Sequence, residues 1–161
     1  MNLWLEAIAP QVLNFWFGDP DDPEGEYGQQ RTCWFRKDPR FDQQIRDQFL
    51  ATYERIHREI RHDWLTSPGV ALAVTVVLDQ FPRNLFRGTA RSYEADDQAL
   101  SVAQTVIARQ YPQAVLPVER MFFYLPLEHS EALKHQDQAV AHFEALVEAV
   151  PELRSPLEYA Y

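Results

Sequence analysis

Eleven prolines run through this 161-residue chain, most of them at the edges of stretches whose apolar residues recur every three or four positions. Proline removes a backbone donor and disfavours the α conformation in the residue before it, so such a chain is confined to short helices joined by turns. Asp38-Pro39 sets a capping side chain before a first-turn proline, and Phe41, Ile45, Phe49, Tyr53, Ile56 and Ile60 follow at helical spacing. That predicts an amphipathic helix. Ala9-Pro10 to Gly18 predicts a short, greasy one, and Ser67-Pro68 opens another through the apolar run Val70 to Leu78, which Phe81-Pro82 should stop. Arg83 to Gly88 is then a single turn or loop. A helix after Tyr93 should end at Tyr111-Pro112, and a shorter one from Leu116-Pro117 at Leu125-Pro126. Ser130 is expected to cap a long helix reaching Pro151, and Ser155-Pro156 to begin one more. No useful stretch alternates with period two. The pattern predicts an all-α chain of stacked antiparallel helical hairpins, forming a single domain over residues 1–161.

A domain of this length buries about 68–70% of its unfolded surface, so a real core is expected. The net charge of −9 excludes roles that need a basic patch, nucleic-acid binding and anionic-lipid binding among them. The longest apolar run spans about half of what a membrane crossing requires, so no membrane role is expected. One cysteine, Cys33, cannot form an internal disulfide, and the start Met1-Asn2-Leu3-Trp4-Leu5-Glu6 lacks the form of a signal peptide, which together suit the cytoplasm. No cofactor or metal is expected. His57 with His62 and His135 with His142 lack a third ligand and read as solvated, and the acidic loop Asp19 to Glu26 lacks calcium-loop spacing.

Chemistry concentrates in two segments. Asp79-Gln80-Phe81-Pro82-Arg83-Asn84-Leu85-Phe86-Arg87-Gly88 alternates charged and large apolar side chains across a helix end. Arg120-Met121-Phe122-Phe123-Tyr124-Leu125-Pro126-Leu127-Glu128-His129-Ser130 sets Glu128 and His129 just before a predicted helix start, where free N–H groups suit an anion. The structural explanation is an ion-pair network that neutralises charge between hairpins. The functional one is a cleft where Arg83, Arg87 and His129 hold a small anion, or where His129, oriented by a carboxylate, acts as general acid or base.

Together with Phe15-Trp16-Phe17-Gly18, these segments resemble a mainly bacterial family of unknown function, domain-of-unknown-function family 924. The positions that match its pattern are Asp79, Phe81, Pro82, Arg83, Asn84, Arg87, Gly88, Asp96, Phe123, Tyr124, Pro126, Glu128, His129 and Ser130. The resemblance implies a fold, a tetratricopeptide-like right-handed superhelix, and no activity. Relatives usually continue with a further helix, so a C-terminal helix is expected to be lacking after Tyr161. The expected function is a helical binding module whose polar groove takes a small anion, peptide or protein. The alternative is a hydrolase-like enzyme using His129 with a carboxylate. Expected ligand contacts are Asp79, Arg83, Asn84, Arg87, Tyr124, Glu128, His129 and Ser130, with His129 and Glu128 as the catalytic candidates.

Overall fold

The computed structural model describes residues 2–154. Its helices are α1 (Leu3–Phe17), α2 (Pro39–Glu59), α3 (Pro68–Thr75), α4 (Phe81–Leu85), α5 (Asp96–Ala108), α6 (Pro117–His129) and α7 (Leu133–Ala149). A π turn, Val76–Gln80, joins α3 to α4 without a break. The described residues contain no strand, and the architecture is all-α. None of their helices is long and apolar enough to cross a membrane.

The starts of α2 and α3 follow local capping chemistry. The Asp38 carboxylate accepts from the Arg40 N–H and the Ser67 hydroxyl from the Val70 N–H, each ahead of a first-turn proline. Helix ends depart from expectation. Helix α1 begins at Leu3 and carries Pro10 within it, because Leu5, Ala9, Val12 and Trp16 form one continuous buried stripe. Its end at Gly18 is as expected, with φ 95° and ψ 158°, a backbone conformation open only to glycine. Phe81 stays helical (φ −59°, ψ −40°) despite the proline after it. The π turn accommodates this: the Phe81 N–H reaches back five residues to the Val76 oxygen, and Pro82, which has no N–H to give, follows the widened turn. Helix α6 likewise runs through Pro126 to His129, where burial of Tyr124, Pro126 and Leu127 offsets the lost backbone bond. Ser130 therefore ends α6 instead of starting α7, whose N-cap is Ala132. The expected helix at Ser155-Pro156 lies outside the described residues.

Two pairings set the frame of the site. Asp42 opposite Arg87 and Phe49 opposite Phe81 make α2 and α4 antiparallel neighbours, and Ser130 opposite His135 with Tyr124 opposite His142 does the same for α6 and α7. Tyr53 with Glu94 and His57 with Gln98 show that α2 and α5 run parallel. Phe81, fully buried, lies against Phe15, Trp16 and Phe49, and Trp16 also meets Phe122 edge to face. This aromatic cluster ties α1, α2, α4 and α6 together.

Candidate functional site

Asp79 belongs to the π turn and is only 1% exposed, although its neighbours Val76, Val77 and Leu78 are apolar and fully buried. A carboxylate in such surroundings needs donors. It has three: His129 Nδ1 lies 2.8 Å from Oδ1, Gln80 Nε2 donates to Oδ2 at 2.8 Å, and Arg83 Nη1 stands 3.8 Å from Oδ1. Arg83 also donates to the Asp79 carbonyl oxygen at 2.5 Å and grips Asp96 through both guanidinium nitrogens, at 2.9 and 3.0 Å. The two sequence motifs thus meet in space, through Asp79 from one and His129 from the other.

Burial presses the Asp79 carboxyl upward, but the His129 and Arg83 charges and the hydrogen bonds from His129 and Gln80 hold it below the ordinary range. Burial presses His129 toward the neutral form, and the attraction and hydrogen bond of Asp79 overcome that, so its imidazolium is favoured. Glu128 differs. Burial, reinforced by the Asp79 charge and only partly countered by His129 and Arg83, lifts its carboxyl to about 7. It makes no hydrogen bond among the described residues.

His129 lines a cleft of about 410 Å³ with Ser130, Glu131 and Ala132 on one wall and Tyr93, Asp96, Asp97 and Leu100 on the other. With Nδ1 committed to Asp79, Nε2 carries no hydrogen bond among the described residues. A carboxylate accepting from Nδ1–H fixes the neutral tautomer that has its lone pair on Nε2. Asp79 therefore does two things: it aims the ring and makes Nε2 the atom that exchanges a proton.

Of the other expected residues, Ser130 lines the cleft beside His129, while Asn84, Arg87 and Tyr124 lie elsewhere. Arg87 and Asn84 both bind Asp42, at 2.9 and 2.8 Å, locking α4 to the start of α2. Tyr124 stacks on His142 with centroids 4.4 Å apart, beside a second pocket between α5 and α7 that His135 and His142 help line. Ser130 Oγ accepts from the Ala132 N–H and bonds His135, with no hydrogen bond to His129. His57 and His62 are not simply solvated: His57 on α2 and His62 in the turn after it bond α5 through Gln98, Ser101 and Thr105. Cys33 is half-buried, and burial keeps its thiol protonated. Among the described residues no three His, Cys, Asp or Glu side chains gather as a metal-holding group. Sequence reasoning passed over Tyr93, Asp97 and Glu131, because no local pattern marks residues that meet only across the α5 and α6–α7 turns.

Comparison with known proteins agrees with these motifs. The family model described as bacterial protein of unknown function (DUF924) matches residues 12–161. A search of curated proteins found no match. A solved structure of a protein of unknown function, ATU0120 from Agrobacterium tumefaciens, is 33% identical, with a TM-score of 0.75, over 95% of this chain and 84% of that one. Sequence match and shared fold coincide over nearly the whole chain, and the protein belongs to the bacterial DUF924 family.

Proposed function

We propose that the chain is an enzyme performing general acid–base chemistry on a small molecule held in the cleft beside His129. The supporting observation is the His129 imidazole itself: Nδ1 is held by a buried carboxylate and Nε2 has no hydrogen bond among the described residues. Histidine titrates closest to neutrality of the side chains, and an oriented imidazole contributes about 10²–10⁴-fold to proton transfer. His129 is the proton-transferring residue and Asp79 the positioning one. The π turn that carries Asp79 supports this, since such turns gather at functional sites. Glu128, next in the chain and titrating at about 7, supplies a second group that changes charge in the same range. A groove for small anions draws less support, because Arg83 and Arg87 are each engaged by a carboxylate. With a charge of −9 and a lone cysteine, a small-molecule ligand and a cytoplasmic setting suit the chain better than a nucleic-acid partner.

The test is a panel of small-molecule hydrolysis, elimination and isomerisation reactions run with wild type, His129→Gln and Asp79→Asn. Turnover should fall about 100-fold or more in His129→Gln, in a chain that circular dichroism still shows folded but that melts lower because Asp79 loses its imidazolium partner. In Asp79→Asn the imidazole Cε1–H resonance should titrate at lower pH, and the pH–rate profile should move with it. Undiminished turnover in a folded His129→Gln chain would sink the proposal.

A further inference from the structure

We infer that Arg83 is a positioning residue of the His129 site, sharing the Asp79 carboxylate with the imidazole and tying that pair to the wall of the cleft. This rests on the acid–base reading of the cleft and names what keeps its imidazole able to give up a proton. Asp79 Oδ1 is the point of convergence: His129 Nδ1 lies 2.8 Å from it and Arg83 Nη1 3.8 Å, while Gln80 takes Oδ2. The same Arg83 nitrogen donates to the Asp79 carbonyl oxygen, and the fork as a whole holds Asp96, in the first turn of α5, through two bonds. A guanidinium can span these acceptors because its donors are spread over a rigid plane, which an ammonium lacks. The Tyr93 ring covers it, 5.4 Å from centroid to guanidinium carbon. Tyr93, Asp96 and His129 line the cleft and Arg83 does not, so the guanidinium joins the wall to the pair that handles the proton. The charges show what this does. Around His129 stand Asp79 on the π turn, Asp96 and Asp97 on α5, Glu128 on its own helix, Glu131 in the turn before α7 and the Tyr93 phenol. That many carboxyls favour the imidazolium, which has no lone pair on Nε2 for general-base chemistry. Arg83 is the cation set against them, and it acts twice, by repelling the imidazolium and by pairing with Asp79.

The experiment follows the His129 Cε1–H resonance by NMR against pH in wild type, Arg83→Gln, Arg83→Lys, Asp96→Asn and the double variant Asp96→Asn with Arg83→Gln. In Arg83→Gln the midpoint should rise by on the order of one pH unit, and the limb of the pH–rate profile that reports His129 should move up with it. Arg83→Lys keeps the charge and should bring the midpoint back toward wild type. The double variant removes the ion pair as a unit and leaves no Asp96 charge without its partner, which keeps the test decisive if Arg83→Gln folds poorly. Its midpoint should stand above that of Asp96→Asn by a similar amount. Unmoved midpoints in both comparisons, or a lysine variant that titrates with the glutamine one, would overturn the inference and make Arg83 a packing residue. A loss of turnover in His129→Gln would then still carry the acid–base proposal. Full turnover in a folded His129→Gln chain, beside a shifted resonance in Arg83→Gln, would leave the link through Arg83 standing and remove the chemistry.

Discussion

At the scale of single residues, Glu128 is a carboxyl that burial holds above its ordinary range, and its effect on stability has a definite sign. Its carboxyl titrates at about 7 in the fold against an ordinary 4.5, so between those values the folded chain holds more protons than the unfolded one. Stability should therefore fall as pH rises from about 4.5 to 7 and stay lower above that. Glu128→Gln removes the loss: at pH 8 the variant should be more stable than wild type by on the order of 1 kcal/mol, the solvent around a half-exposed side chain screening the rest. Urea melts at pH 5 and pH 8 check this, and equal stabilities at pH 8 would show that the carboxyl is not held against its preference. His129 follows the same direction with pH, since its stability contribution is complete below its ordinary 6.5 and lost as pH rises through its higher folded value. The sequence marked His129, Glu128, Asp79 and Arg83 as chemistry-bearing residues, and an ion-pair network at this joint was legible from charge, though not which arginine would meet which carboxylate. The bond from His129 to Asp79 was not. It depends on where the end of α6 lies against the π turn, which is settled by packing fifty positions apart in the chain.

At the scale of elements, capping is local and prolines are not, and this divides what could be read in advance. Asp38 and Ser67 start their helices through bonds to residues two and three positions on, so their roles follow from the chain alone. Pro10, Pro82 and Pro126 were read as boundaries, and each lies inside or at the continuation of a helix. Their local cost of about 3 kcal/mol is outweighed by apolar burial that no local pattern reports. Gly18 is the firm terminator. A Cβ added there would stand 2.9 Å from the Tyr27 backbone nitrogen, on a backbone conformation closed to other residues. Gly18→Ala should therefore destabilise the chain by at least about 1–3 kcal/mol in a denaturant melt. A neutral result would mean that the loop after α1 moves aside freely.

At the scale of the whole molecule, the aromatic cluster around Phe81 decides whether the helices unfold together. Phe81→Ala should cost about 3–5 kcal/mol and still give coincident transitions by circular dichroism and tryptophan fluorescence. A loss below 1 kcal/mol, or two separated transitions, would show that α1, α2, α4 and α6 do not share one core. The all-α class was legible because helix-period apolar spacing recurs between turns throughout the chain. The parallel run of α2 and α5 was not, since their contacts pass through Tyr53, His57 and Gln98, which carry no pairing signal.

The continuous rod from α3 to α4 behaves like a screw whose thread is recut midway. Its first half packs on α1 and its second on α2, and the π turn is where the change of partner falls. Each residue along an α-helix advances the phase by about 100°. One residue more or fewer between Val76 and Gln80 would leave the apolar composition nearly untouched, yet swing Arg83, Asn84 and Arg87 away from Asp96 and Asp42. Across relatives this turn should therefore admit exchanges of side chain while rejecting insertions and deletions, so that its length is inherited more strictly than its letters.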